Sequence, residues 1–136
     1  MKNKHLLPAF ALLLGLSACQ SKEEILRDQY AVEGMVLYQK HCENCHQAGG
    51  KGLKSLYPAL NQGLFNKYSE ASLALMMSKG INEGQVLDGK TFTQYMPGNP
   101  ALQALDLAEI LTYLHELNGN KTKRVEVDRL KRWLKP

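Results

Sequence analysis

Apolar residues at helical spacing predict three helices before the C-terminal tail of this chain. The first runs from about Asp28 to His41, and its apolar face consists of Tyr30, Gly34, Leu37, Tyr38 and His41. The second runs from Glu70 to Lys79, with Leu73, Met76 and Met77 on one face. The third runs from Asp106 to Gly119, with a stripe of Leu107, Ile110, Leu111, Leu114 and Leu117. Because no useful apolar–polar alternation and no internal repeat occurs, the pattern predicts an all-α domain.

Residues at the helix boundaries support these assignments. Ser69 can cap the second helix, and Gly80 suits the position after its last turn. Asp106 and Glu109 have the spacing of a capping box. Gly34 lies inside the first helix, where glycine costs roughly 1 kcal/mol relative to alanine, so we expect a packing reason for it.

Two glycine- and proline-rich segments, 47–68 and 81–103, separate the predicted helices. The first leaves room for one helical turn near 62–67. Irregular segments of this length are uncommon in a compact domain unless they have a function. For the first segment, enclosing a bound group is one such function.

The first 18 residues have the features of a secretory signal peptide. Lys2 and Lys4 precede an apolar run at 6–16, which is too short to predict a transmembrane helix. Leu-Ser-Ala-Cys at 16–19 also resembles the bacterial lipobox, and that resemblance implies cleavage before Cys19 and lipidation of this cysteine. The alternative is an ordinary signal peptide whose apolar run ends near a cysteine.

These features predict four parts of the chain: a signal peptide at 1–18, a polar tether at 19–28, the main domain at 29–118 and a basic tail at 119–136. The tether can reach at most about 35 Å, so the domain stays close to its membrane. Gln20, rather than Asp, after the cysteine resembles an outer-membrane sorting signal.

Charge is distributed unevenly, because residues 121–136 contain seven lysines and arginines against Glu126 and Asp128. Residues 19–120 have a net negative charge, so a uniform nucleic-acid-binding surface is not indicated. In the tail, the spacing of Leu130, Trp133 and Leu134 predicts a short amphipathic helix. This helix either packs on the domain or docks on an acidic partner or a membrane surface.

Cys42-Glu43-Asn44-Cys45-His46 is the sequence with the most specific chemistry. Two thiols three positions apart, followed at once by a histidine, are typical of covalent haem attachment. On a helical turn the three side chains share one face, so two sulfurs can bond one haem while His46 supplies an axial nitrogen. The alternatives are a redox-active dithiol, which is expected near a βαβ pattern, and zinc, which requires a second ligand pair. Neither feature is visible in the sequence.

This motif, preceded by Gly34 and Tyr38 and followed by Tyr95-Met96-Pro97-Gly98, resembles a class I monohaem cytochrome c over about residues 29–118. The resemblance implies a small all-α fold in which the N- and C-terminal helices cross and loops wrap the haem. It implies that Cys42 and Cys45 attach one haem c and that His46 and Met96 are the axial iron ligands. It further implies that the Pro58 carbonyl accepts the proton of His46, that Leu60 packs on the haem and that Gly34 lets Tyr113 approach closely.

Other residues compete with Met96 for the sixth iron position. Met35 lies close before the haem motif, whereas Met76 and Met77 lie in a predicted helix, where methionine usually fills a core. His115 lies in the last helix, and His41 adjoins Cys42.

The resemblance implies a one-electron carrier that is not an enzyme, because two strong axial ligands leave no open iron site. Its expected partners are redox proteins and, through Cys19, the membrane on the periplasmic side of a bacterial envelope. No nucleic acid is expected. Two alternatives stay open: an electron-relay subunit of a larger dehydrogenase or reductase, and a haem-based ligand sensor or peroxidase-like enzyme.

Overall fold

A computed structural model describes residues 20–134 except 61, 83–85 and 88. The predicted signal peptide and Cys19 lie outside the described residues. The helices are α1 (Lys22–His41), α2 (Glu43–His46), α3 (Gln62–Lys67), α4 (Glu70–Lys79), α5 (Ala104–Leu117) and α6 (Val127–Leu134), with a 3₁₀ turn at Ala48–Gly50. No helix in these described ranges is long and apolar enough to cross a membrane.

Four two-residue strands occur in the segment that was predicted to be loop. β1 (Gly80–Ile81) pairs antiparallel with β4 (Met96–Pro97), and β2 (Val86–Leu87) pairs antiparallel with β3 (Lys90–Thr91). These pairs are too short to change the all-α class, but the first pair fixes the backbone of Met96.

Helix α1 begins at Lys22, well before the expected start near Asp28. The Ser21 side chain accepts a hydrogen bond from the Glu24 amide, while the Glu24 carboxylate accepts one from the Ser21 amide. This reciprocal pair is a capping box, which satisfies two amides at the helix start. Residues 22–28 are therefore helical, and the predicted tether is wrong for them.

The start of α5 also differs from the prediction. The helix begins at Ala104, and the Asp106 carboxylate accepts a hydrogen bond of 2.7 Å from the Gln103 amide. Asp106 thus lies in the first turn and is not the cap, so the predicted box of Asp106 with Glu109 is wrong.

Helices α1 and α5 cross at Gly34, where their backbones nearly touch. A Cβ atom at Gly34 would lie 1.9 Å from the carbonyl oxygen of Glu109. The close crossing that the resemblance implied is present, and the atoms nearest to Gly34 belong to Glu109 and Ile110. The Tyr113 ring packs against the Tyr38 ring, with centroids 5.4 Å apart. Glycine is required here because no side chain fits between the two backbones.

The core lies between these crossing helices, α4 and the tail. Its fully buried large side chains are Tyr38, Leu107, Ile110, Leu111, Thr112, Val125 and Leu130. Leu117, which was predicted in the apolar stripe of α5, is 38% exposed.

The C-terminal tail packs on the domain. Val125 and Leu130 are fully buried, and the Val125 amide donates a hydrogen bond of 3.0 Å to the buried Thr112 hydroxyl. Several tail cations form ion pairs with the domain, and Glu70 at the start of α4 meets two of them, Lys123 at 3.0 Å and Arg129 at 3.7 Å.

Glu70 provides a test of how the tail contributes to stability. The imidazole of His115 and the ammonium of Lys123 lower the pKa of Glu70 from 4.5 to about 2. The Lys123 ammonium lies 3.0 Å from the Glu70 carboxylate, whereas the His115 imidazole lies 3.4 Å from it. We therefore expect Lys123 to lower the pKa of Glu70 more than His115 does. Because the folded pKa is depressed, this stabilisation is present above about pH 4.5 and is lost as the pH falls from there toward 2.

We expect Glu70→Gln to lower the free energy of unfolding at pH 7 by on the order of 1–3 kcal/mol. Urea unfolding across pH 2–7 should show a weaker acid destabilisation in the variant. Glu33→Gln is the control, since Glu33 is exposed and forms no ion pair within the described ranges. An unchanged acid profile in Glu70→Gln would contradict the assignment.

Candidate haem site

The two cysteines and His46 lie where α1 ends and α2 begins. The Cys42 amide continues α1 by donating to the Tyr38 carbonyl at 2.8 Å, and the His46 amide donates to the Cys42 carbonyl at 2.9 Å. This turn directs all three side chains into one crevice.

The crevice consists of two adjoining lobes that share six lining residues: Cys42, His46, Pro58, Ile81, Leu87 and Met96. The outer lobe is also lined by Cys45, Tyr57, Phe92 and Tyr95. The inner lobe is apolar and reaches the core at Leu60, Phe65, Leu73, Met76, Met77, Leu111 and Leu114. Such a lining suits a large flat apolar group with one polar edge near the mouth.

His46 is held in one orientation. Its Nδ1 lies 2.9 Å from the Pro58 carbonyl oxygen, which can only accept, so Nδ1 holds the proton. Nε2 then keeps its lone pair for a metal. Burial lowers the pKa of His46, although the bond to Pro58 opposes this, and a neutral imidazole is the form that binds iron. The bond that the resemblance implied for Pro58 is present, and it sets the donor atom.

The loop after His46 is fixed from both sides. The Gly52 amide donates to the His46 carbonyl, and the Leu60 amide donates to the Gly50 carbonyl, each at 2.8 Å. The Leu60 carbonyl in turn accepts a hydrogen bond from the Asn118 side chain at 2.9 Å. These bonds connect the segment that contains Pro58 and Leu60 to the end of α5.

Gln47 has an unusual backbone conformation, with φ 61° and ψ 164°. That region is essentially restricted to glycine and costs on the order of 1–3 kcal/mol. The buried Tyr38 hydroxyl donates to the Gln47 carbonyl at 2.6 Å and so stabilises the turn directly after His46. Burial raises the pKa of Tyr38 to about 12, so the phenol stays protonated and keeps its donor.

We expect Tyr38→Phe to lower the free energy of unfolding by about 1–2 kcal/mol, because the strained turn loses its buried hydrogen bond. Urea unfolding of the haem-bound protein measures this. Tyr113→Phe is the matched control, since no hydrogen bond of the Tyr113 hydroxyl occurs in the part of the chain that the structure describes. Equal losses in the two variants would show that the hydroxyl of Tyr38 has no special role.

Met96 lines both lobes of the crevice. Its strand pairs with Gly80–Ile81 at the end of α4. A Cβ atom at Gly80 would lie 2.5 Å from the Met96 carbonyl oxygen, and one at Gly98 would lie 2.4 Å from the Lys79 carbonyl carbon. Two glycines thus let the Met96 loop lie directly against the end of α4.

The competing ligands occupy different places. Met35 is 37% exposed on α1, whereas Met76 and Met77 line the inner lobe together with core leucines. His41 is exposed and lines the outer lobe. His115 is outside the crevice lining of the described residues and lies beside Glu70 and Phe65.

The dithiol and zinc alternatives find little support. Cys42 and Cys45 are not joined in a disulfide, and burial raises the pKa of the Cys42 thiol to about 11, whereas redox-active thiols have a depressed pKa. The described part of the chain contains no group of three or more His, Cys, Asp or Glu side chains that could hold a metal ion.

The residues therefore fit a haem. Two free thiols and one imidazole with a lone pair adjoin an apolar crevice, and a thioether lines the same crevice. This donor set matches covalent haem with nitrogen and sulfur axial ligands.

The cytochrome c family model matches residues 31–118, which is most of the chain. The chain therefore belongs to the cytochrome c family, as a class I cytochrome c that binds haem c covalently, and it is a haem-based electron carrier. A comparison with curated proteins gives no match. The match ends at 118, so the tail that packs on α4 and α5 lies beyond the family domain.

Sequence reasoning did not find part of the crevice wall. Ile81, Leu87 and Phe92 line it from segment 81–103, which was predicted only as loop. Their signal was the presence of large apolar residues in a glycine-rich stretch with many polar residues, where Val86, Met96 and Leu102 also occur. Such residues are unexpected in a solvated loop and indicate that one side of it is covered.

Proposed function

We propose that this protein transfers single electrons through a haem c attached at Cys42 and Cys45, with His46 and Met96 as axial ligands, while a lipid on Cys19 anchors it to the periplasmic side of a bacterial envelope. The observation that most supports the ligation is that His46 and Met96 line one crevice and that the backbones of both are fixed. The haem supplies a reversible one-electron couple.

The chain's own residues set the conditions for that couple. The Pro58 carbonyl orients the His46 ring and strengthens its donor nitrogen. Thioether sulfur is a soft donor that favours ferrous iron, so Met96 raises the potential. The apolar inner lobe excludes water, which disfavours the more highly charged oxidised state.

Carbon monoxide tests the closed coordination in the wild-type protein. With both axial positions occupied by strong ligands, the reduced protein should not bind carbon monoxide at neutral pH, and the oxidised protein should show the methionine–iron charge-transfer band. Rapid carbon monoxide binding would instead support the sensor or peroxidase-like alternative.

The membrane anchor is tested at Cys19. Mass spectrometry of the mature protein should show an amino-terminal cysteine with lipid on its thiol and on its amino group. Cys19→Ala should release the protein into the soluble periplasmic fraction. Gln20 supports the outer membrane as the site of attachment. A mature terminus without lipid would contradict anchoring and leave electron transfer untouched.

The second candidate function is electron relay within a larger dehydrogenase or reductase. The tail favours it, because it adds a folded helix beyond the family domain with Trp133 still 41% exposed. Co-purification of a catalytic subunit with wild-type protein, and its loss in Trp133→Ser, would support this role. The expected partners of either function are redox proteins.

A further inference from the structure

The outward side of α1 has an apolar surface with no partner among the described residues. At 100° per residue, Ile25, Gln29, Val32, Val36 and Gln39 lie opposite the buried positions Arg27, Ala31, Gly34 and Tyr38. We call these five residues the outer ridge. Its three aliphatic members are 45%, 56% and 50% exposed, and it contains no charge over the length of the helix.

An uncharged ridge is unusual on a surface helix, whose outward positions are normally charged or polar. Valine also has lower helix propensity than the polar residues common at such positions. Val32 and Val36 therefore contribute neither to the core nor to helix formation, and an external contact would explain both.

From these features we propose that the outer ridge of α1 lies on the lipid bilayer surface. This rests on the proposed lipidation of Cys19, which is two residues before the helix cap Ser21. Because the capping box starts the helix at Lys22, almost no flexible chain separates the lipid from α1. The start of the ridge is thus held at the membrane.

The anchor makes a small contact sufficient. A second contact made by an already tethered molecule is intramolecular and benefits from a high effective concentration. Three half-exposed aliphatic side chains bury far less than the about 1,200 Å² of a stable protein interface, so a second copy of the chain is a weaker occupant.

The charges beside the ridge indicate an apolar contact. Lys22 and Lys40 flank one side, and Asp28 and Glu33 also adjoin it, so the signs are mixed. We therefore expect the contact to be insensitive to salt, unlike binding by a basic patch.

The proposed contact sets the distance between the haem attachment site and the bilayer. Helix α1 has 20 residues and is about 30 Å long, with Cys42 at its far end. An upright helix would lift the attachment site by about that length, whereas a helix lying on its ridge keeps it beside the membrane. The carrier then meets partners that are themselves at the membrane surface.

The test uses the lipidated, haem-bound protein in vesicles of phosphatidylethanolamine and phosphatidylglycerol. Cys42 and Cys45 are bonded to haem and Cys19 is acylated, so Gln29→Cys provides a single thiol for a nitroxide label. Electron paramagnetic resonance compares the label's accessibility to oxygen, which concentrates in lipid, and to a water-soluble nickel complex. Leu105→Cys on α5 is the control, because α5 packs on the opposite side of α1 and Leu105 is 44% exposed.

We expect the label at 29 to gain oxygen accessibility and lose nickel accessibility in vesicles, at low and high salt, while the label at 105 does not change. The pair Val32→Gln and Val36→Gln should abolish this shift, whereas Leu105→Gln with Leu117→Gln should leave it intact. A label at 29 that stays in water overturns the proposal, and so does dipolar broadening that disappears on dilution with unlabelled protein, which indicates a second copy. Loss of anchoring is seen separately, as an unlipidated Cys19 in the mass spectrum.

Discussion

Gly34→Val will lower the free energy of unfolding by about 3 kcal/mol or more. The reason is geometric. A Cβ atom at this position would lie 1.9 Å from the Glu109 carbonyl oxygen and 2.4 Å from its carbon. Because both contacts are with backbone, no side chain can rotate away, and α1 and α5 must separate along the interface that forms the core.

Gln39→Val is the matched control, because it introduces the same residue into the same helix at an exposed position. Gln39→Val should lower the free energy of unfolding by at most about 0.5 kcal/mol, which is the difference in helix propensity between glutamine and valine. Urea unfolding of the haem-bound proteins measures both. Gly34→Ala refines the test: alanine improves helix propensity by about 1 kcal/mol, so a stabilised Gly34→Ala variant would refute the close approach.

The haem motif and the helix periodicity predicted much of the fold. The all-α class followed from the helical spacing of apolar residues, and the crossing of two helices followed from the resemblance, in which Gly34 and Tyr38 precede Cys42. What failed were the boundaries. A cap depends on which of several polar residues accepts the bond, and local sequence did not separate Gln103 from Asp106. Ser21 lies in a polar stretch that was predicted to be a tether, so the start of α1 was missed.

Some residues of the site were predicted from the sequence and others were missed. Cys42, Cys45 and His46 are local in sequence, and the structure brings Pro58, Leu60 and Met96 to the same crevice. The wall formed by Ile81, Leu87 and Phe92 was missed, because loop residues give no period from which burial can be read. The tail's helix was predicted, but its contact with Glu70 depends on distant residues that no local pattern connects.

The tail and the Met96 loop are structurally connected through α4. Glu70 in the first turn of α4 pairs with the tail, and the last residues of α4 lie against Met96-Pro97-Gly98. The Asn99 amide also donates to the Met77 carbonyl at 2.9 Å. Tail packing therefore stabilises the helix against which the Met96 loop lies, which gives residues 119–134 a structural role beyond the family domain.

Met96→Ala will have the largest expected effect on electron transfer. Under the proposed ligation, loss of the thioether removes the soft ligand that favours ferrous iron, so the potential should fall by on the order of 0.1 V, within the about 0.8 V range that axial ligands span. The methionine–iron band should disappear, and the reduced variant should bind carbon monoxide at the vacated position. Spectroelectrochemistry and carbon monoxide titration measure these effects.

Two methionine controls decide whether Met96 itself is the ligand. Met35→Ala changes an exposed methionine on α1, and Met76→Leu changes one that lines the inner lobe, so neither should alter the band. Met96→His supplies a strong nitrogen ligand, which should lower the potential but restore resistance to carbon monoxide. If Met76→Leu abolished the band while Met96→Ala preserved it, the distal ligand would be on α4 and the loop of Met96 would only cover the crevice. The close backbone approach at Gly80 and Gly98 argues for Met96 as the ligand, because it holds the strand of Met96 in a fixed register at the crevice.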